Sequence, residues 1–209
     1  MKVICISGKA RHGKDTAAGI MKAMLEADGY KVLVAHYAGL VKYICRAFFG
    51  WNGEKDEYGR SLLQRVGTDV IRRQKPDYWV SFVADILGFF QDEWDYVLIP
   101  DCRFPNEVGY LKERGLDAVH VRVTRENFVS PLTPEQQRHP SETALDTVAP
   151  DYRIVNSGTL SDLRDAVSKL LTEINGYHQL SFAELSCGEI ISGTLDSALI
   201  HKWEVKQEF

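Results

Sequence analysis

The chain has no CxxC pair, no long uninterrupted apolar run, no excess of basic charge and no low-complexity tract. Its four cysteines, Cys5, Cys45, Cys102 and Cys187, are widely separated. That spacing argues against a disulfide scaffold or a cysteine-bound metal and for free thiols in a reducing compartment. The most apolar stretch, Tyr78 to Phe90, is broken by Ser81 and Asp85 and is too short to span a bilayer. The N-terminus lacks the leucine-rich core and cleavage site of a secretion signal, so a cytoplasmic location is expected. A net charge of −4 offers no general surface for duplex nucleic acid. Within 209 residues there are 16 glycines and 7 prolines against 44% hydrophobic residues. This balance excludes disordered and collagen-like classes and suits one large or two small globular domains.

The positive pattern is an alternation of short apolar runs with helical periodicities. Lys2–Ser7, Lys31–Tyr37, Tyr96–Ile99, Ala118–Val123 and Tyr152–Val155 are rich in β-branched and aromatic residues, as strands buried on both faces are. Pro100-Asp101 is expected to stop the third of them. Helical spacing groups Ala17, Ile20, Met21, Met24 and Leu25, and then Val41, Ile44, Cys45 and Phe48. It also groups Leu62, Leu63, Val66 and Val70, and Trp79, Val80, Val83, Ile86, Leu87 and Phe90 after Pro76. Phe104–Arg114 is a further helix, and a capping box at Thr159 and Asp162 opens a last one with Leu163, Val167, Leu170, Leu171 and Ile174. Alternating strands and helices predict an α/β fold with a five-stranded, parallel, doubly wound sheet. Arg125 to Asp151 is long, polar and proline-containing, the signature of a lid or a disordered loop. Residues 177–209 fit no further strand–helix unit and are expected to be an extension whose Ile190-Ile191 and Leu199–Val205 stretches could cover a sheet edge, cover a partner subunit in a homodimer, or equally pack on their own domain.

Gly8-Lys9-Ala10-Arg11-His12-Gly13-Lys14 is a GxxxxGK segment between the first strand and the first helix. That context is the one a phosphate loop requires. Gly8 and Gly13 permit the backbone turns that aim successive N–H groups at phosphate oxygens, and the helix starting near Lys14 adds its positive end. Lys14 supplies a mobile charge for the outer phosphates. Asp15 stands where a hydroxyl commonly serves magnesium, with Thr16 next. Asp15 could hold the metal directly or through water, or it could cap the helix while Thr16 bonds a phosphate.

Asp101 lies at the carboxyl end of a central strand, where parallel sheets bind ligands. There it could serve the metal or the acceptor, or simply cap a helix. Arg103 and Glu107 follow it closely. Arg60 could form a two-pronged pair with an acceptor phosphate. Gln64 or Thr68 could bond a base edge, and Tyr78 or Trp79 could stack on one. Taken singly, each of these side chains is better explained as part of a solvated face or of the core.

GKDT, LLQRVGTDVI, DYWV, PDCRFPNE, HPSET and VNSGTLSDL occur in this order over residues 1–174. In that order they resemble the phage-type deoxynucleoside monophosphate kinases. The resemblance implies a P-loop kinase fold with a lid over about 124–150, an acceptor-binding helical region over about 38–90, and a kinase domain over 1–176. It implies transfer of the γ-phosphate of ATP to a deoxynucleoside 5′-monophosphate with Mg²⁺, in a host cytoplasm if phage-encoded. By motif, Gly8, Arg11, Gly13, Lys14, Asp15 and Thr16 would bind ATP, and Asn156, with Ser157 and Gly158, would meet its adenine. Arg60, Gln64, Gly67, Thr68 and Trp79 would line the acceptor pocket. Asp101, Arg103 and Glu107 would lie between the nucleotides, with Asp15 and Asp101 as metal ligands. Lys14, Arg11, Asp101, Arg103 and a lid arginine, Arg125 or Arg138, would carry catalysis. Ala10 departs from the family in lacking a basic side chain, and Phe49 to Arg60 is short for it. Kinases of dephospho-coenzyme A or phosphomevalonate share a GKD-type loop and are the nearest alternatives, followed by a nucleotide-binding regulator without turnover.

Overall fold

The computed structural model describes residues 1–175, so the expected extension over 177–209 lies outside the described residues. Five strands form one sheet: β1 (Lys2–Ser7), β2 (Val32–Val34), β3 (Tyr96–Cys102), β4 (Asp117–Thr124) and β5 (Tyr152–Val155). The order is β2-β3-β1-β4-β5, and every neighbouring pair is parallel. Side chains alternate between two cores, as the pleat demands. Val3, Cys5, Val97 and Ile99 face one helical layer, α2 (Ala38–Phe49), α3 (Glu57–Gln64), α4 (Tyr78–Phe89) and α5 (Pro105–Glu113). Ile4, Ile6, Leu98, Val121 and Val123 face the other, α1 (Lys14–Ala27) and α8 (Leu160–Asn175). Parallel neighbours with helices on both faces make this the doubly wound α/β sheet expected from the sequence.

The register places the chemistry. Ser7 at the end of β1 pairs with Cys102 at the end of β3. The turn that begins at Gly8 and the one that begins at Arg103 therefore leave the sheet side by side. A register shift between Cys5 and Ser7 lies opposite Pro100, which cannot donate to a ladder. Because the shift absorbs that missing donor, β3 runs on through Pro100 and Asp101 to Cys102 instead of stopping before them. It is this extra length that delivers Asp101 to the rim.

Elsewhere the edges differ from the periodic expectation. The strand predicted over Lys31–Tyr37 is only Val32–Val34, an edge strand bonded to β3 alone and half-buried. Beyond it the chain turns so that Tyr37 can cap α2. Phe48, Ile86 and Phe90, predicted to face inward, are exposed, and Phe90 lies just past the end of α4. Val70 is exposed for another reason. After α3 the chain continues as π-helical turns over Arg65–Arg72, and the wider turn carries Val70 outward and Arg72 inward. The Trp79 indole donates to the carbonyl of Gly67 within these turns at 2.8 Å.

The segment Arg125 to Asp151 is neither structureless nor loose. It contains two short helices, α6 (Pro134–Arg138) and α7 (Pro140–Thr143). The Arg122 guanidinium on β4 bonds the carbonyls of Leu145 and Val148 and ties the segment's far end to the sheet. Proline at the first position of each helix and Thr133 and His139 as caps give those turns their local cause.

One buried polar pair anchors the end of β1. Ser7 Oγ lies 2.7 Å from His120 Nε2, and the His120 amide donates to Asp151 at 2.7 Å. Burial, aided by the nearby Arg122 charge, lowers the His120 pKa from 6.5 to about 4. The unfolded chain therefore binds a proton between those values that the folded chain refuses, and stability falls as pH drops from 6.5 toward 4. The melting temperature should decline through that window, with a shallower decline in His120→Gln. An identical slope in the variant would show that His120 does not set it.

Candidate active site

The loop between β1 and α1 wraps tightly over its own anchor points. Gly8 has φ +148°, and a Cβ there would sit 2.3 Å from the carbonyl oxygen of Val123. Gly13 has φ +97°, and its Cβ would meet the Asn156 amide nitrogen at 2.3 Å. Both positions therefore demand glycine for conformation and for space. Asn156 in turn donates to the carbonyl of His12 at 3.0 Å, so it braces the loop from the β5 side. Arg11 takes φ +60° and points its exposed side chain from the apex. Lys14 is buried and folds back over the loop to donate to the Lys9 carbonyl at 3.0 Å. Its desolvation, with the Arg103 charge nearby, lowers its pKa from 10.5 to about 8.

From the loop a single cleft of about 250 Å³ runs toward the π-helical turns. It is lined by Lys14 and Asp15 at the loop and by Arg60, Gln64, Gly67, Thr68 and Trp79 opposite, with Asp101, Arg103 and Glu107 among its walls. Ten residues singled out along 94 positions of sequence thus meet in one cavity. Tyr78 is exposed and stacks edge-on against Trp79. Gly8, Arg11, Gly13, Thr16 and Asn156 build or flank the loop without lining the cleft. Arg125 is exposed beside the loop, with its amide bonded to His12 Nδ1 at 3.2 Å and its guanidinium over the Phe128 ring. Arg138 is exposed on α6. Neither lid arginine lines the cleft.

The cleft gathers six cationic side chains: Lys14, Lys42, Lys55, Arg60, Arg72 and Arg103. Burial lowers the Lys55 pKa, with the charges of Lys42, Arg60 and Arg103 adding to the effect. Such a concentration focuses field on a polyanionic ligand. Carboxylates hold it in place. Asp101 accepts from the amides of Tyr37 and Ala38 at 3.1 and 2.9 Å, so it caps α2 while lining the cleft. Burial alone would raise its pKa, but the His36 imidazole 3.8 Å away and those two amides outweigh it and hold the carboxyl below its usual value. Asp15 and Asp101 are the carboxylates toward which a magnesium ion would be drawn. No cluster of three or more potential ligands exists among the described residues. One or two carboxylates completed by phosphate oxygens and water are what Mg²⁺ ordinarily takes, so the donor set fits.

Arg72 and Glu142, neither singled out from the sequence, complete the site. Glu107 Oε1 bonds Arg72 at 2.5 Å, and Oε2 accepts the amides of Arg103 and Phe104 at 2.6 and 3.0 Å. Burial raises the Glu107 pKa, against the pull of Arg72 and those amides. Arg72 also bonds Asn106 and the Pro76 carbonyl and lies 3.9 Å over the Phe104 ring. Only the π-helical turns bring Arg72 inward, which no α-helical period would indicate. Glu142 bonds the guanidinium of Arg103 and the amide of Ala10. It sits within HPSET, a motif that marks its position without indicating its contacts.

The Arg72–Glu107 pair carries a testable energy. Glu107→Ala would leave a mostly buried guanidinium without its counter-charge and two amides unpaired. The unfolding free energy should drop by about 3–5 kcal/mol in denaturant melts. A variant as stable as the parent would show that the pair does not hold the cleft floor.

With this geometry in place, comparison with known proteins gives a consistent result. A family model described as deoxynucleotide monophosphate kinase matches residues 40–167. The deoxynucleotide monophosphate kinase of Enterobacteria phage T4 is 29% identical over 123 residues, which is 57% of this chain and 48% of that protein. The chain thus spans about half the length of that relative. Uncharacterized protein ORF77 of Ictalurid herpesvirus 1 (strain Auburn) is 32% identical over 169 residues, covering 80% of this chain and 69% of that one. Among solved structures, a dephospho-CoA kinase from Campylobacter jejuni superposes with a TM-score of 0.47 at 11% identity, over 84% of this chain and 98% of that one, too distant to bear on the chemistry. The extent of the family match settles the assignment: this chain belongs to the deoxynucleotide monophosphate kinase family.

Proposed function

We propose that the chain transfers the γ-phosphate of ATP to a deoxynucleoside 5′-monophosphate, releasing ADP and the deoxynucleoside diphosphate. One observation carries the reading: a single cleft joins the phosphate loop at Lys14 to a wall built from Arg60, Gln64, Gly67, Thr68 and Trp79. A donor and an acceptor phosphate can therefore share one cationic cavity. Family membership supports the same acceptor class. The catalytic unit would be residues 1–176, with the acceptor wall within about 38–90 and the lid within about 124–150.

In this reading the loop amides and Lys14 hold the outer phosphates, while Arg11 and Arg125 approach from the exposed side of the loop and Asn156 sits behind it. Thr16 and Asp15 occupy the first turn of α1, where they meet the donor's phosphates. Magnesium, held by Asp15 or Asp101 with phosphate oxygens, would neutralise charge on the transferring group. The acceptor is already a phosphate dianion and needs no general base to attack. The barrier to overcome is repulsion between two polyanions, and the chain's answer is convergent positive charge from Lys14, Arg60 and Arg103. Trp79 and Gln64 would orient the acceptor's base, and Asp101 and Glu107 fix the arginine-bearing walls. The segment over α6 and α7 would close the cleft to water, which otherwise competes as acceptor.

Two outcomes follow. With MgATP and a panel of deoxy- and ribonucleoside monophosphates, ADP release should depend on at least one monophosphate and vanish in Lys14→Ala. Tight ATP binding without release for any nucleotide would turn the assignment toward another phosphorylated acceptor or a regulator. ATP affinity should also weaken as pH rises above about 8, because the Lys14 ammonium loses its proton near there in the free protein. The loss should approach tenfold per pH unit, accompanied by proton uptake on binding measured by calorimetry in buffers of different ionisation enthalpy. A flat affinity between pH 7 and 10 would contradict that role for Lys14.

A further inference from the structure

One carboxylate lies where the proposed donor's phosphate should go. Glu142 Oε2 accepts the amide of Ala10, inside the phosphate loop, at 3.1 Å. Its other oxygen bonds the Arg103 guanidinium, which also donates to the Ser141 carbonyl at 2.8 Å. The Glu142 side chain is only 6% exposed, and it faces the Lys14 charge as well. These two partners, a loop amide and an arginine, with the loop lysine's charge nearby, are the kind of donors that recognise a phosphoryl group.

The placement is built rather than incidental. Helix α7, capped by His139 through the Ser141 amide, presents Glu142 toward the loop. Arg122 secures the chain just beyond it, and Asp146 pairs with Lys9 at 2.7 Å on the loop's outer side. On the other flank, His139 Nε2 lies 3.3 Å from Asp69 in the π-helical turns. The segment 139–146 therefore spans from the acceptor wall to the phosphate loop, with its one buried carboxylate on the loop's anion-binding groups.

We infer that Glu142 is a resident surrogate for the terminal phosphate of the donor nucleotide, resting on the reading that the loop binds ATP. The carboxylate holds Arg103 and the Ala10 amide in a liganded arrangement while the site is empty and prevents the cationic cleft from springing apart. Nucleotide binding exchanges one anion for another. The outer phosphoryl oxygens take over Ala10 and Arg103, and Glu142 withdraws with its segment. The exchange makes Glu142 a positioning residue that sets affinity for the triphosphate against the diphosphate, because a ligand that ends short of Ala10 and Arg103 need not displace it. A resident occupant lowers apparent affinity by the fraction of molecules in which it has let go.

Calorimetric titration of the parent and of Glu142→Gln, with Mg²⁺ and either ADP or a non-hydrolysable ATP analogue, tests the exchange. The glutamine variant should bind the triphosphate about tenfold more tightly, corresponding to a carboxylate engaged in roughly nine molecules of ten, and bind ADP within about twofold of the parent. Glu142→Asp, which keeps the charge but shortens the reach, should shift in the same direction by less, and it serves if the glutamine variant is unstable. Equal gains for the two nucleotides, no gain, or weaker triphosphate binding in a folded variant would overturn the inference. If the parent binds neither nucleotide and Lys14→Ala is indistinguishable from it, the donor reading fails instead.

Discussion

Everything in this structure answers to the crowding of positive charge at one end of the sheet. Six basic side chains line a cavity of about 250 Å³, and like charges at such separations repel strongly once water is thinned out. Folding tolerates this because Arg72 and Arg103 each meet a carboxylate, while Arg60 and Lys14 donate to the backbone carbonyls of Lys55 and Lys9. Glu107 clamps Arg72, Glu142 meets Arg103, and Asp101 secures the start of α2. Lys14 bears a cost of its own, since burial first and the Arg103 charge second lower its pKa to about 8. A site that holds its own charges apart in this way is already arranged for a polyanion, so little reorganisation is left for the moment of reaction.

The sheet supplies the precision. Ser7 and Cys102 lie opposite one another in the β1–β3 ladder, so the phosphate loop and the Asp101–Glu107 stretch leave from adjacent points. The register shift opposite Pro100 extends β3 far enough for Asp101 to reach the rim. The π-helical turns over Arg65–Arg72 then rotate Arg72 into the cavity and offer the Gly67 carbonyl to Trp79. None of these adjustments is large, yet each moves a functional side chain by one position along the chain or around a helix.

How much of this could be read from the chain alone follows the same physics. The buried strands β1, β3, β4 and β5 were legible because both faces are covered and the residues had to be apolar throughout. The edge strand β2 was over-extended because an edge needs fewer paired residues than its hydrophobic run suggests. The loop glycines were legible because Gly8 and Gly13 have no permitted substitute at their angles and contacts. Residues such as Gln64, Thr68 and Trp79 were ambiguous one at a time, and only the three-dimensional cleft brings them together. Arg72 was hidden by a change of helical period, and Glu142 by a contact that spans 132 positions of sequence. Arg125 to Asp151 reads as a loop in the sequence because its helices are a single turn or so, too short for any periodicity.

The most direct test of the account follows the phosphate itself. A single turnover with ATP labelled in its γ-phosphate, Mg²⁺ and a deoxynucleoside monophosphate should place the label in the β-position of the deoxynucleoside diphosphate, with little in inorganic phosphate. Label found chiefly in inorganic phosphate, or left in ATP whatever the monophosphate, would contradict a cleft shaped to bring two nucleotides together and exclude water.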